Sequence, residues 1–163
     1  RLELPAKSPY LSGALHGKTR RTMEAVVQDR TTEARKLLAT ALEELQQARR
    51  ALEAQPTDYR SLLDHTLKAL KAAFRGFLTW HDVPVPEDAS LRLMARPCTD
   101  LASSLRLYFD LLLPLEAEAP SLLQKDALSV NERERIRNAY FTARNAIATV
   151  LGELPASLHP TAA

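Results

Sequence analysis

Two identical Arg-Asn pairs, seven residues apart, are the residues of this sequence best suited to bind a phosphate group. They are Arg137 with Asn138 and Arg144 with Asn145, within the segment RNAYFTARNAIATV. Seven residues are close to two helical turns, so on a helix the arginines share roughly one face, as do the asparagines. A guanidinium group binds phosphate through a planar set of donors. The spacing is typical of a phosphate-binding helix face, and also of a solvated polar stripe on a packed helix.

A second group of basic residues precedes the single tryptophan of the sequence. Lys68, Lys71 and Arg75 fall on one side of a predicted helix, and His81 follows the end of that helix. A histidine there can cap the last carbonyl groups or help to hold an anion. We expect these four residues to contact a phosphate or a nucleotide. Arg75 and His81 are also the candidate catalytic residues of a ribonuclease, because arginine stabilises charge on phosphate while histidine transfers a proton.

The sequence lacks the residues that other kinds of functional site require. The four histidines are far apart and Cys98 is the single cysteine, so we expect no metal site, no disulfide and no cofactor. There is no Gly-rich phosphate loop and no nucleophile motif. The longest apolar run, LYFDLLLPL, is too short to span a membrane, and a net charge of +2 does not by itself indicate nucleic-acid binding. These features predict a cytoplasmic protein with no membrane contact.

The composition predicts an all-α protein. Glycine accounts for 4 of the 163 residues, hydrophobic residues for 45% and charged residues for 26%. Leucine, alanine, glutamate, arginine and lysine dominate, as they do in helices. We expect one domain, an up-and-down antiparallel bundle of four main helices with short extra helices. The bundle should cover residues 18–155, after an N-terminal arm or linker over 1–17 and before a C-terminal tail over 156–163.

Apolar residues at helical spacing indicate where the main helices lie. Clear stripes run through residues 31–54 and 58–80, and the segment AQPTD between them predicts two antiparallel neighbours. A short helix through LRLMAR is expected to end at Pro97. A third main helix follows, and Pro114 is expected to kink or end it, which leaves residues 116–127 as a connection with one turn of helix.

The last main helix is predicted to begin at Ser129, because Glu132 stands three residues later, as in a capping box. This helix carries apolar residues on more than one face. The larger ones are Tyr140, Phe141, Ile147, Val150 and Leu151. A helix that covers two partners has such a pattern, so we expect a homodimer that uses this helix.

The segment RKLLATALEELQQARRALEAQPTDYRSLLDHTLKALKAAFRGFLTWHDVPVP, with the apolar helices after it, resembles the HEPN domain. That domain is a helical bundle found in prokaryotic toxins and beside minimal nucleotidyltransferases. The likeness spans residues 30–155, and its best part is HTLKALKAAFRGFLTWHDV, which is similar to the family's lysine-bearing helix and Thr-His-Asp-Leu loop. His81 and Asp82 match that loop, whereas Trp80 replaces its threonine and Val83 its leucine.

The resemblance implies a ribonuclease signature on the last helix. Active members of the family are metal-independent ribonucleases with arginine, a polar residue that is often asparagine, three further residues and then histidine. Arg144 and Asn145 supply the first half, but Thr149 stands in the histidine position, and Thr142 does so after the first Arg-Asn pair. A threonine hydroxyl does not titrate near neutral pH and cannot replace imidazole as a base. The motif is therefore a degenerate one.

The resemblance and the missing histidine together lead to one main functional expectation. The chain should be a HEPN-like binding or interaction module that is catalytically inert and associated with a nucleotide or RNA. It should act with a partner such as a nucleotidyltransferase or an upstream domain. One alternative is a metal-independent ribonuclease of the toxin type that uses an atypical Arg/His pair. Another is a plain helical oligomerisation domain.

Overall fold

The computed structural model describes the backbone of residues 3–161 and the side chains of residues 22–161. The fold is all-α, as the composition predicts. The helices are α1 (Glu3–Glu53), α2 (Tyr59–Trp80), α3 (Leu91–Leu101), α4 (Arg106–Gln124) and α5 (Val130–Gly152), with 3-10 turns at Ser103–Leu105 and Ala156–Leu158. Within this described part of the chain, no helix is apolar over enough residues to cross a membrane.

α1 and α2 form the antiparallel pair that the sequence predicts. At one end of the pair the Asp58 amide donates to the Ala51 carbonyl oxygen at 3.0 Å. At the other end the Arg30 guanidinium lies 5.7 Å from the ring centre of Trp80, the last residue of α2. The turn between the two helices is short, and apolar side chains at helical spacing are buried along both of them. The prediction of two stripes that pack against each other is confirmed.

α1 begins earlier than predicted. The arm or linker expected over residues 1–17 has a helical backbone from Glu3 onward, while residues 1–2 lie outside the described part of the chain. Pro5 falls in the first turn of α1, where the missing amide removes no intrahelical hydrogen bond. The predicted helix over residues 31–54 is therefore the second half of a 51-residue helix.

Prolines do not end α3 or α4, so the boundaries predicted there are wrong. Pro97 lies inside α3, and both Pro114 and Pro120 lie inside α4. The connection predicted over residues 116–127 is helical as far as Gln124. A proline in a helix interior costs about 3 kcal/mol. In α4, burial of an apolar stripe on both sides of the prolines offsets this cost, and that stripe consists of Phe109, Leu112, Leu115, Ala119 and Leu122.

α2 is the central helix and contacts all four other α-helices. α5 runs parallel to α2, because Arg137 near the start of α5 donates to the Tyr59 hydroxyl at the start of α2. α4 runs antiparallel to α5. The Arg135 guanidinium lies 2.7 Å from the Glu118 carboxylate at one end of that pair, and the Tyr108 and Thr149 hydroxyls lie 3.1 Å apart near the other.

The second apolar face of α5 packs within this chain. Tyr140, Ile147 and Val150 are buried, Leu151 is half-buried, and Phe141 is 38% exposed. α5 contacts both α2 and α4, which explains why it carries two apolar faces. The pattern that suggested a dimer interface on this helix therefore serves mainly the core of one chain.

The start of the predicted C-terminal tail is packed against the bundle. Leu158 is buried, and the Arg35 guanidinium of α1 donates to the Ser157 carbonyl oxygen at 3.1 Å. Residues 162–163 lie outside the described part of the chain. The turn after α5 thus adds a contact with α1 near the C-terminal end of α2.

Candidate functional site

The first Arg-Asn pair of α5 lies beside the start of α2. The Arg137 guanidinium donates to the Tyr59 hydroxyl at 2.7 Å and lies 5.8 Å from the centre of that ring. It also lies 3.3 Å from the carboxylate of Glu134, one turn earlier on α5. Asn138 is exposed and lines a groove of about 170 Å³ between α4 and α5, opposite Leu111. Arg137 and Asn138 therefore face different surroundings.

The second Arg-Asn pair is on the open surface of α5. Arg144 is exposed, and its guanidinium stacks 5.2 Å from the centre of the Phe141 ring. Asn145 is exposed, and its carbonyl oxygen accepts a hydrogen bond from the Thr149 hydroxyl at 2.9 Å. That hydroxyl also contacts Tyr108 of α4. Thr149, which the HEPN resemblance would place at the histidine position, therefore joins α4 to α5.

The two lysines of α2 already have acidic partners. Lys68 is exposed, and its ammonium lies 2.9 Å from the Asp64 carboxylate, which raises the pKa of the lysine. Lys71 lies 3.7 Å from Glu116 of α4. The same Glu116 carboxylate accepts hydrogen bonds from the amides of Leu91 and Arg92, and so caps the start of α3. Lys71 thus stabilises the junction of α2, α3 and α4.

His81 ends α2, and its charged neighbours come from other helices. Its ring lies edge-on to Phe77, with the ring centres 4.7 Å apart. Partial burial lowers the pKa of His81, and the positive charge of Arg30 lowers it further, while Glu153 acts in the opposite direction. Arg30 also forms a 3.7 Å ion pair with Asp82. The arginine that acts on His81 is thus Arg30 of α1, a residue that the sequence did not single out.

Arg75 is placed differently from His81. Six residues separate the two, which corresponds to about 9 Å along the helix axis and about 120° around it. Arg75 is half-buried, and its Nε is buried with no hydrogen-bond partner among the described residues. The two candidate catalytic residues therefore do not share one side of α2.

A cleft that the sequence did not suggest lies where α2 and α5 begin. Its volume is about 540 Å³, and it lies between the α1–α2 turn and the α4–α5 turn. Arg60 and Arg133 line the cleft together with Tyr59 and the acidic residues Asp58 and Asp126. The Arg60 guanidinium donates to the Lys125 carbonyl oxygen, and Arg133 Nε donates to the Ser129 carbonyl oxygen at 3.4 Å. Both arginines are thus held by backbone carbonyls.

The starts of two parallel helices meet at this cleft. Asp58 caps α2 by accepting from the Ser61 amide and hydroxyl, which lowers the pKa of Asp58. Ser129 and Glu132 form the predicted capping box of α5, and Lys125 and the Ser129 amide lower the pKa of Glu132 to about 2. The positive ends of both helix dipoles therefore point toward the cleft.

One feature of the sequence points to the cleft. Arg60 is the second residue of α2 and Arg133 the fourth of α5, so both stand in a first turn, where the helix dipole disfavours a cation. A residue that breaks a local preference often belongs to a functional site. The two arginines are 73 positions apart, and the sequence alone does not indicate that α2 and α5 are parallel neighbours.

Among residues 22–161, no group of three His, Cys, Asp or Glu side chains is arranged to hold a metal ion.

Comparisons with known proteins do not identify a relative of this chain. The HEPN resemblance stays a prediction from the sequence. No family model, no curated protein and no solved structure matches the chain.

Proposed function

We propose that this chain is a HEPN-like, catalytically inert binding module that holds the phosphate of a nucleotide in the cleft at the start of α2 and α5. The observation that carries the proposal is the pair Arg60 and Arg133, which face one cleft of about 540 Å³. Their hydrogen bonds go to backbone carbonyl oxygens, while the nearest acidic residues of the cleft are Asp58, which interacts electrostatically with Arg60, and Asp126. A phosphate group can accept hydrogen bonds from the two guanidinium groups.

The other lining residues favour a nucleotide over a bare phosphate ion. Tyr59, an aromatic residue of the kind on which a base can stack, lines the cleft, and Arg137 donates a hydrogen bond to its hydroxyl. The Asp126 carboxylate can accept a hydrogen bond from a sugar hydroxyl or a base amino group. A nucleotidyltransferase partner, which the HEPN resemblance implies, would use a ligand of the same class.

A binding measurement tests the proposal. Titrating the protein with ADP and with a labelled single-stranded RNA distinguishes a free nucleotide from the phosphate backbone of RNA. We expect the double variant Arg60→Ala, Arg133→Ala to bind at least tenfold more weakly, a loss of about 1.4 kcal/mol or more. For RNA, the slope of log K against log salt should fall by about 0.7 for each phosphate that an arginine no longer neutralises.

A matched control carries the same change of charge elsewhere. The variant Lys68→Ala, Arg144→Ala removes two positive charges from exposed positions that the sequence suggested. It should bind with nearly unchanged affinity. An equal loss of affinity in the two double variants, or no binding by the unaltered protein at millimolar ADP, would contradict the cleft proposal.

A separate experiment tests the prediction that the Arg-Asn motif of α5 is catalytically inert. Without an imidazole at position 149, a general acid or base contribution on the order of a hundred- to ten thousandfold in rate is missing from α5. We expect purified protein to leave mixed single-stranded RNA intact in the presence of a chelator. Cleavage that is lost in both Arg75→Ala and His81→Ala, but kept in Arg144→Ala, would instead favour the atypical ribonuclease site at the end of α2.

A further inference from the structure

A further cavity lies between the C-terminal end of α2, the loop that follows it, and α3. Its volume is about 340 Å³, within the range of about 300 to 1,000 Å³ that is typical of ligand pockets. All of its lining residues are leucine, valine, proline or methionine. Leu78 and Met94 are buried at its floor, whereas Leu93 is 56% exposed at its rim. The cavity is thus apolar, and a small molecule can enter it from solvent.

The end of α2 positions one wall of this cavity. Asp82, the second residue after α2, has a left-handed backbone with a φ of 60°. Its amide donates to the Thr79 carbonyl oxygen at 3.1 Å, and the Val83 amide donates to the Leu78 carbonyl oxygen at 2.9 Å. These two bonds form a Schellman motif, which commonly places the residue after the turn against the helix. Val83 and Leu78, which this motif joins, both line the cavity.

The lining offers few hydrogen-bond donors to a ligand. Three of its residues are prolines, which have no amide hydrogen. The Val83 amide is used in the turn after α2, and the Leu93 and Met94 amides donate to Ser90. Among the described residues that line the cavity, none has a charged side chain. A phosphate or a carboxylate would therefore lose its hydration here without gaining donors in exchange.

We propose that this cavity binds the uncharged aromatic ring system of a small molecule. A rigid ring loses less conformational freedom on binding than an alkyl chain of similar size. Methionine makes favourable contacts with aromatic rings, and Met94 is a buried residue of the lining. Proline-rich segments also pack against aromatic rings, and the loop contributes Pro84 and Pro86. The cavity lies at the opposite end of α2 from the cleft, so this proposal does not depend on a nucleotide there.

The two methionines of the chain allow a direct test. Met94 lines the cavity, whereas Met23 is 63% exposed on α1 and serves as an internal reference. In an NMR titration with isotope-labelled methionine methyl groups, indole should shift the Met94 signal along a saturable curve. We expect a dissociation constant of about 1 mM or lower. The proposal is overturned if the Met94 signal shows no saturable shift, or if the Met23 signal follows the same curve.

A charge at the rim should weaken the binding of indole. Leu93→Asp places a carboxylate at the apolar cavity and should raise the dissociation constant about fivefold or more. The matched control is Leu107→Asp on α4, where the side chain is 64% exposed and does not line the cavity. It should change the dissociation constant by less than about twofold, because the charge lies elsewhere. Both leucines are exposed, so the bundle is kept, and an unchanged far-UV circular dichroism spectrum would show that. An equal effect of the two variants would contradict the proposal.

Two further ligands test the chemical class. Octanol has as many non-hydrogen atoms as indole and more apolar surface, so a cavity that selected for apolar surface alone would prefer octanol. We expect indole to bind at least as tightly, because its ring is rigid. Indole carboxylate should bind about tenfold more weakly than indole or worse, because the lining gives its charge no donors. Tighter binding of octanol, or equal binding of indole and indole carboxylate, would overturn the assignment of an uncharged aromatic ligand.

Discussion

At the scale of single residues, the most informative side chain is His81, because its two electrostatic neighbours come from two other parts of the fold. It follows the last residue of α2, Arg30 belongs to α1, and Glu153 follows α5. Arg75, which the sequence placed with His81, lies about 120° around α2 instead. An arginine and a histidine that are close in sequence are therefore a poor guide to a catalytic pair on a helix.

We expect the pKa of His81 to lie below its ordinary value of 6.5. Partial burial is the larger cause, so Arg30→Gln should raise this pKa without restoring it fully, whereas Glu153→Gln should lower it further. Since folding favours the neutral ring, the contribution of His81 to stability is lost as the pH falls from 6.5 through the folded-state pKa. An NMR titration of the ring protons measures the change. If the His81 titration had the same midpoint in Arg30→Gln as in the unaltered protein, this account would be contradicted.

At the scale of the elements, contacts between helices override local preferences. α3 and α4 continue through prolines because the apolar residues on either side of each proline are buried. Glu116 of α4 caps α3 from outside that helix, and Lys71 of α2 pairs with the same carboxylate. A basic side chain at helical spacing can thus be a structural contact, as Lys71 is, even where the sequence suggests a ligand.

Two helical glycines should respond to alanine in opposite directions. A Cβ atom at Gly152 meets nothing within 4 Å, so Gly152→Ala should raise the free energy of unfolding by about 0.5 to 1 kcal/mol. At Gly76 a Cβ atom would lie 3.2 Å from Leu38 Cγ and 3.3 Å from the Ala34 carbonyl oxygen. Overpacking costs about 1 to 3 kcal/mol, which outweighs the helix gain of about 1 kcal/mol, so Gly76→Ala should destabilise the fold.

Urea denaturation at one protein concentration measures the free energy of unfolding of both variants. Both changes replace a helical glycine and so include a gain in helix propensity, which is smaller at Gly152 because that residue is the last of α5. The difference between the two changes in the free energy of unfolding reports how closely α1 and α2 pack at Gly76. Equal stabilisation by the two substitutions would show that the two helices are farther apart there than the described contacts indicate.

At the scale of the whole molecule, α1 has two environments. Its C-terminal half packs against α2, while residues 23–29 have no covering helix in the described part of the chain. The cleft lies at the opposite end of the α1–α2 pair, beside the turn that follows α1. The cleft and the uncovered segment therefore lie at different ends of the molecule.

Amide hydrogen exchange should reveal the two environments. At protein concentrations where the chain is a monomer, amides of residues 23–29 should exchange much faster than those of residues 34–48, because an unpacked helical segment is marginally stable. Strong protection of residues 23–29 at the lowest concentration would contradict the description of an uncovered segment.

By itself, the amino-acid sequence determined the features that depend on neighbours along the chain. Periodic apolar residues placed the α1–α2 pair, and the spacing of Ser129 and Glu132 predicted the start of α5. The threonines at positions 142 and 149 are the basis of the prediction that the motif implied by the HEPN resemblance lacks its histidine, and this stays a prediction. The two structural inferences succeed because helical periodicity and capping are local properties.

Only the tertiary structure decided which distant residues meet. It placed Arg60 and Arg133 in one cleft, put Arg30 rather than Arg75 beside His81, and gave Lys71 an acidic partner. These contacts depend on the parallel arrangement of α2 and α5 and on the position of α4, which local patterns do not encode. Burial also decided that α4 continues through its prolines, since the packing of a whole stripe outweighs one local penalty.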